Sequence, residues 1–185
     1  KGVAYVPAAR LEEGLIPGLS ITEHVLLTQK KPGFFIDRES GRTLAGERIA
    51  EFNIRGTPAS PVESLSGGNQ QRALLALVKP GAKVMLLEQP TRGLDIESVI
   101  YLWSKLKERC NQGGAIIFTS SDLDELLRYS DRLLVFFSGQ VFGPLDAATT
   151  TVEELGQLIG GSTGDQDLVA VGHGEAVGGA GATDA

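Results

Sequence analysis

Two short runs of this 185-residue chain carry residue types suited to phosphate chemistry. The first extends from Leu65 to Arg72 (LSGGNQQR), with a serine and two glycines at the predicted start of a helix. Glycines let a bound group approach the backbone closely, and the positive end of a helix dipole favours an anion. The second extends from Val84 to Glu88 and predicts a buried strand with polar residues at its end. Together the runs indicate one side of a nucleotide site, whereas a G-x-x-x-x-G-K-S/T loop is absent from the sequence.

Composition excludes several other classes of function. The net charge is -6 and the 17 basic residues are scattered, which argues against a nucleic-acid partner. Cys110 is the only cysteine and there are two histidines, so neither an internal disulfide nor a cysteine-based zinc cluster is expected. The longest apolar runs are strand-sized and fall short of the ~20 residues that a bilayer span needs. We therefore expect any membrane link to run through a partner.

The order of predicted elements favours an α/β fold. Strands are predicted at 2–6, 82–88, 115–119, 132–137 and 140–142. Helices are predicted at 21–28, 43–52, 67–78, 96–110, 122–129 and 151–159, with a surface connection at 30–42. Strands that alternate with helices of this size imply a parallel sheet. The continuous apolar run at 82–88 predicts a strand buried on both faces.

These motifs, in this order, resemble those of the nucleotide-binding subunits of ABC transporters. LSGGNQQ resembles their signature motif, in the variant frequent in importers of ribose-type sugars and nucleosides. Val84 to Glu88 resembles the Walker B strand, and Pro90 to Asp95 resembles the segment that ends in the D-loop. Residues 2–10 resemble the Q-loop region and residues 120–125 the switch region, so the resemblance extends from Lys1 to roughly Phe142.

The resemblance implies a partial ABC ATPase domain of the P-loop NTPase type. It predicts core segments at 1–16 and 79–160, an inserted helical subdomain at 17–78, and a disordered Gly/Ala-rich tail at 161–185. The sequence begins at Lys1, in a predicted strand, without a Walker A loop. We therefore expect a fragment of a longer protein, from the second ATP-binding domain of a tandem subunit.

The resemblance also assigns roles to individual residues. Residues that would face the ATP of a partner domain are Ser66, Gly67, Gly68, Asn69, Gln70 and Asp95. Glu88 stands where the family holds Mg²⁺ through water, and Gln89 stands where it has a catalytic glutamate. Ser121 occupies the switch position, which is usually histidine, and Ala8 occupies the Q-loop position. Because a glutamine cannot accept a proton as a base, we expect slow hydrolysis at this chain's own site.

The function implied is the coupling of ATP binding and hydrolysis to uptake of a nucleoside or a simple sugar. The cofactors would be ATP and Mg²⁺, and the partners would be another ABC domain and transmembrane permease subunits at the cytoplasmic face of the membrane. An alternative is a regulatory or scaffold module that keeps the dimer surface without catalysis. A translation or repair ATPase of the same superfamily would bring basic insertions, and the sequence has none.

Overall fold

The chain divides into two compact units, Lys1–Ser120 and Ser121–Ala185. The computed structural model describes residues 2–29, 36–79 and 81–161. The predicted tail at 161–185 therefore lies outside the described residues, except for Gly161. Within the described part of the chain, no helix is long and apolar enough to span a bilayer.

Three parallel strands form the sheet of the first unit, in the order β1-β2-β3. They are β1 (Val3–Val6), β2 (Val84–Glu88) and β3 (Ala115–Thr119). Helices occupy both connections, as the alternating sequence pattern predicts. Because the strands are parallel, the polar residues that follow β2 lie beside the carboxyl ends of β1 and β3.

The expectation that β2 is buried on both faces is wrong. Met85 and Leu87 are buried on one face, but Leu86 is only half-buried. In register with Leu86, Tyr5 and Ile117 are 53% and 61% exposed. An apolar run predicts a strand but does not show whether chain elements cover both of its faces. Within the described residues, only one face of this sheet is well packed.

The described part of the first unit has four α-helices: α1 (Ile21–Thr28), α2 (Arg38–Glu51), α3 (Gly67–Leu77) and α4 (Ile96–Asn111). The predicted α1 and α4 are confirmed, and Ser20 and Glu23 form a capping box at the start of α1.

Helix α2 begins five residues before the predicted position 43, within the stretch expected to be a surface connection. Asp37 starts it by accepting a hydrogen bond from the backbone N–H of Ser40. Because glycine lowers helix propensity, Gly41 makes the sequence around it look less helical than it is. In the structure it allows close approach to α1, since a Cβ there would stand 2.5 Å from Leu26.

The second unit contains α5 (Leu123–Tyr129), β4 (Arg132–Phe137), β5 (Gln140–Asp146) and α6 (Val152–Ile159). Strands β4 and β5 pair antiparallel, and β5 is longer than the predicted 140–142 because it continues through Gly143 and Pro144. The core of the unit joins this hairpin to α6 through Leu133, Val135, Phe142, Ala147, Leu155 and Leu158.

Candidate functional site

Helix α3 begins at a loop that its own side chains hold in place. Gln70 is buried, and its amide Nε2 donates to the carbonyls of Val62 and Leu65, at 3.3 and 3.1 Å. These bonds fix the short 3₁₀ turn Val62–Ser64 and the residue after it. The resemblance assigns Gln70 to the residues that face a nucleotide; in this structure its amide is turned inward and supports the loop.

Ser66 is the N-cap of α3, and its hydroxyl is exposed. Its side chain does not accept a hydrogen bond from the helix backbone, which is the usual task of an N-cap serine. Instead, Asn69 Nδ2 donates to Ser66 Oγ at 2.8 Å, while Asn69 Oδ1 accepts from the backbone N–H of Arg55 at 2.7 Å. The hydroxyl is thus held at the surface and is not folded over the helix end.

Gly67 and Gly68 stand at close approaches in the first turn of α3. A Cβ at Gly67 would come within 3.0 Å of Arg10 Nη1, and one at Gly68 within 3.3 Å of Ser98 Oγ. Both glycines are half-buried, and a side chain would crowd Arg10 at position 67 and Ser98 at position 68. An open helix N-terminus lined by backbone N–H groups suits an anionic phosphate.

Arg10 joins three segments that are far apart in sequence. It begins a single π-helical turn (Arg10–Gly14) after β1, and its Nε donates to Gln71 Oε1 at 2.9 Å. Its Nη2 donates to the carbonyl of Arg92, in the turn that follows β2. Burial, together with the nearby Arg92 charge, lowers the pKa of Arg10 below its ordinary value. The sequence assigned Arg10 no role, and no local pattern reveals contacts of such long range.

Asp95 lies beside this surface and caps helix α4. Its Oδ1 accepts from the Ser98 backbone N–H at 2.8 Å, and its Oδ2 accepts from the Ser98 hydroxyl at 2.9 Å. These bonds lower the pKa of the Asp95 carboxyl. Ser98 is also the nearest side chain to a Cβ built at Gly68, so the signature segment and the D-loop segment meet at Ser98. Both carboxylate oxygens of Asp95 have hydrogen-bond donors within its own chain.

Glu88 and Gln89 lie at the carboxyl end of β2, the central strand of the sheet. Glu88 is exposed, and its hydrogen bond with the Tyr5 hydroxyl raises the pKa of the Tyr5 phenol. Gln89 has a positive φ of 44°, which is uncommon for a residue with a side chain. Its backbone N–H donates to the Thr119 carbonyl at 3.0 Å, which extends the pairing with β3 by one residue. A strained residue at this position is typical of functional turns.

The remaining predicted positions lie elsewhere. Ala8 is half-buried in the loop between β1 and the π-helical turn, and its methyl group offers no ligand atom. Ser121 belongs to the second unit, directly before α5. In the first unit, the structure brings Ser66, Gly67, Gly68 and Asn69 together with the Asp95 cap, beside the contacts of Arg10.

The described residues contain no cluster of three or more His, Cys, Asp or Glu side chains arranged as a metal centre. Glu88 is an exposed carboxylate at the end of β2. Magnesium ions in phosphate sites keep several waters and take one or two carboxylates together with phosphate oxygens. The arrangement around Glu88 fits a cation of that kind and does not fit an all-protein metal cage.

No family model matches the chain. Among curated proteins it is 36% identical over 168 residues to the nucleoside import ATP-binding protein NupA of Lactococcus lactis subsp. cremoris (strain MG1363). That alignment covers 87% of this chain and 33% of NupA. It is 35% identical over 164 residues to the arabinose import ATP-binding protein AraG of Ralstonia nicotianae (strain ATCC BAA-1114 / GMI1000). That alignment covers 82% of this chain and 32% of AraG. The chain thus spans about a third of the length of these relatives.

Solved structures agree on the fold. The structure of an ATP-binding subunit of an ABC transporter superposes with a TM-score of 0.67 and 20% sequence identity. The match covers 86% of this chain and 68% of that subunit's chain. The structure of a dimeric ATP-binding cassette, in a post-hydrolysis state bound to ADP and Pi, superposes with a TM-score of 0.59 and 23% sequence identity. The match covers 72% of this chain and 58% of that cassette's chain.

The fold and the LSGGNQQ helix start define a partial ABC-type ATPase domain. The chain belongs to the ABC family of ATP-binding proteins, and the relatives it matches are ATP-binding proteins of sugar and nucleoside import.

Proposed function

We propose that this chain is part of the ATP-binding subunit of an ABC importer for a nucleoside or a simple sugar, and that its signature surface serves ATP bound to a partner domain. The relatives support the first half of the proposal, because their names specify import of nucleosides, ribose and arabinose. The start of α3 supports the second half. The subunit would act at the cytoplasmic face of the membrane, together with permease subunits.

The observation that carries the proposal is the open helix start at Ser66. Ser66 is exposed, its side chain does not cap the helix, and Gly67 and Gly68 that follow carry no side chains of their own. Such a surface would hold a phosphate group and stabilise the negative charge that develops on it during transfer to water. These residues would supply charge stabilisation and orientation, and none of them would accept a proton.

The chain's own strand end supports weak hydrolysis in cis. Glu88 carries the charge needed to hold a hydrated Mg²⁺, whose chemistry when bound is neutralisation of phosphate oxygens. Gln89 can orient a water molecule through its amide but cannot take its proton. Because Ala8 offers no polar atom and Ser121 offers only a hydroxyl, no described residue at the predicted catalytic positions replaces the missing base.

Contact with permease subunits would use the region of α1 and α2. A groove of about 790 Å³ there has an apolar lining that includes Leu26, Leu27 and Ile36. Leu27 and Ile36 are 64% and 70% exposed, which is high for large aliphatic side chains. Glu23, Arg38 and Arg42 lie at the same groove and would orient the polar edge of a short amphipathic segment of the permease.

The test is the Ser66→Ala variant of the complete polypeptide that contains this chain, assayed for ATP hydrolysis. Removal of one preorganised donor to a developing negative charge lowers turnover by about 10²–10³-fold, so we expect a loss of that order. Ser104→Ala is the matched control, because that hydroxyl is also exposed and bonds only the nearby Tyr101 carbonyl. Unchanged hydrolysis in Ser66→Ala would favour the non-catalytic scaffold alternative.

A further inference from the structure

A chain of hydrogen bonds fixes the side chain of Asn69. The backbone N–H of Arg55 donates to Asn69 Oδ1 at 2.7 Å, and Asn69 Nδ2 donates to Ser66 Oγ at 2.8 Å. A backbone N–H can only donate, so the amide oxygen must face Arg55 and the NH₂ group must face Ser66. The orientation of the Asn69 amide is therefore set by the backbone of a different segment.

That segment is itself held by α3. Arg55 follows the end of α2, where Asn53 has a positive φ of 47°. Arg72 Nη1 donates to the Asn53 carbonyl at 2.7 Å, one helical turn beyond Asn69. Two side chains of α3, Asn69 and Arg72, thus bind the backbone of the same turn, which holds the partner of the Asn69 amide oxygen in place.

The direction of these bonds determines what Ser66 can do. Because Ser66 Oγ accepts from Asn69, its own proton points away from Asn69. Ser66 also does not cap its helix, unlike the N-cap side chains of the other described α-helices, which all accept from their helix backbone. Those N-cap residues are Ser20, Asp37, Asp95, Asp122 and Thr151. The first N–H groups of α3 are therefore not covered by the Ser66 side chain.

We infer that Asn69 is a positioning residue that presets Ser66 as a hydrogen-bond donor to a phosphate of the partner's ATP. The inference rests on the proposed function and refines it, since the sequence placed Asn69 among the nucleotide-binding residues themselves. Ionised phosphate oxygens are acceptors, so they require a hydroxyl whose proton is free and backbone N–H groups that are uncovered. Asn69 secures both conditions through Ser66 and touches no nucleotide.

The experiment is a double-mutant cycle in the complete polypeptide, with steady-state ATP hydrolysis as the readout. The variants are Ser66→Ala, Asn69→Leu and the two combined. Leucine has a similar shape to asparagine but cannot hold the hydroxyl, so we expect Asn69→Leu alone to lower kcat/KM by about tenfold. In the Ser66→Ala background the same change should have no further effect, because the group on which Asn69 acts is gone.

Asn69→Asp supplies a second variant of nearly the same size. Its carboxylate can still accept from the Arg55 N–H, but toward Ser66 it can only accept, which draws the hydroxyl proton away from the phosphate. We expect a larger loss of kcat/KM than in Asn69→Leu, with the thermal unfolding midpoint close to that of the unmodified protein. Gln157→Glu on the exposed side of α6 controls for the added charge.

The outcomes separate the two proposals. If Ser66→Ala cripples hydrolysis and Asn69→Leu costs the same factor in both backgrounds, or if Asn69→Asp keeps full turnover, the positioning role is overturned while the proposed function stands. If Ser66→Ala itself leaves hydrolysis intact, the proposed function fails. A loss in Asn69→Leu that disappears in the Ser66→Ala background supports the inference.

Discussion

Arg10 Nε donates a hydrogen bond to Gln71 Oε1 at 2.9 Å, although the two residues are 61 positions apart. Gln71 is 1% exposed and lies on α3, one turn from the open helix start. Through its Nη2, Arg10 also donates to the Arg92 carbonyl in the turn after β2. One guanidinium therefore fixes the helix that carries the signature residues against the turn that follows Glu88 and Gln89.

Replacement of Arg10 by methionine, which has a similar length but no hydrogen-bond donor, is expected to destabilise the fold. The change removes the donor to Gln71 Oε1 and leaves a buried acceptor without a partner, which costs about 1–3 kcal/mol. The measurement is the free energy of unfolding from urea titration of the complete polypeptide or of its isolated domain.

Arg48→Met is the matched control for that measurement. Arg48 forms an ion pair with Glu51 at 2.7 Å between neighbouring turns of α2, with the Glu51 side chain 48% exposed, and such pairs at the surface contribute about 0.2–1 kcal/mol. If the two variants lose the same free energy, the bridge from Arg10 to Gln71 adds no more than a surface pair.

Gly67 and Gly46 allow a comparison of two helical glycines with opposite surroundings. A Cβ at Gly67 would stand 3.0 Å from Arg10 Nη1, whereas one at Gly46 would meet nothing within 4 Å. Gly46→Ala is expected to raise the free energy of unfolding by about 0.5–1 kcal/mol, because alanine favours the helix, and to leave hydrolysis unchanged.

Gly67→Ala is expected to lower ATP hydrolysis without a comparable gain in stability. Its methyl group would press on the Arg10 guanidinium and so disturb the first turn of α3 beside Ser66. Hydrolysis rates and unfolding curves of both variants provide the check. Normal turnover in Gly67→Ala would show that the first turn of α3 does not need an open backbone.

The sequence predicts the elements of this domain well where patterns are local. Helix α1 has a capping box and an apolar face, and its predicted bounds 21–28 are those observed. Strands β3 and β4 are short apolar runs between turn residues, and their bounds also agree. The start of α2 was misplaced because Gly41 obscured the helix, although Asp37 is an N-cap residue of the usual kind.

The site was only partly predictable, for a physical reason. Ser66, Gly67 and Gly68 are identified by residue type and spacing, which are properties of a short segment. The roles of Arg10, Asn69 and Gln70 depend on bonds to Gln71, Arg55 and Val62 in three dimensions. Side-chain direction is set by tertiary packing, so the motif alone does not reveal that the Gln70 amide is buried and bonds two loop carbonyls.

The pH dependence of stability should carry a contribution from Asp95. Hydrogen bonds from the Ser98 backbone N–H and hydroxyl lower the pKa of Asp95 below the ordinary aspartate value of about 3.9. A carboxyl with a lowered pKa in the folded state stabilises the fold above its unfolded-state pKa, and this contribution is lost as pH falls through the folded-state pKa. We therefore expect stability to decline below about pH 4 as the cap of α4 is protonated.

Urea unfolding between pH 7 and pH 3 measures this effect, with Asp95→Asn as the comparison. Asparagine is also a good N-cap but does not titrate, so the variant should lose less stability over the acid range than the parent. Identical acid profiles would mean that the Asp95 cap contributes nothing to the acid response.

Gln89→Glu is expected to restore hydrolysis at the chain's own site. The substitution adds a carboxylate that can polarise water, and positioned general bases contribute about 10²–10⁴-fold to rates. Glutamate and glutamine have the same length and both must adopt the positive φ of Gln89, so the turn should be equally strained in both forms.

The measurement is made in the Ser66→Ala background, where hydrolysis at the partner's site is suppressed and the chain's own site dominates. We expect Ser66→Ala/Gln89→Glu to hydrolyse ATP at least about tenfold faster than Ser66→Ala alone, because only the own site gains a base. Gln157→Glu in the same background gives the charge control at an exposed position of α6. If the double variant stays as slow as Ser66→Ala, the missing carboxylate at position 89 does not limit hydrolysis.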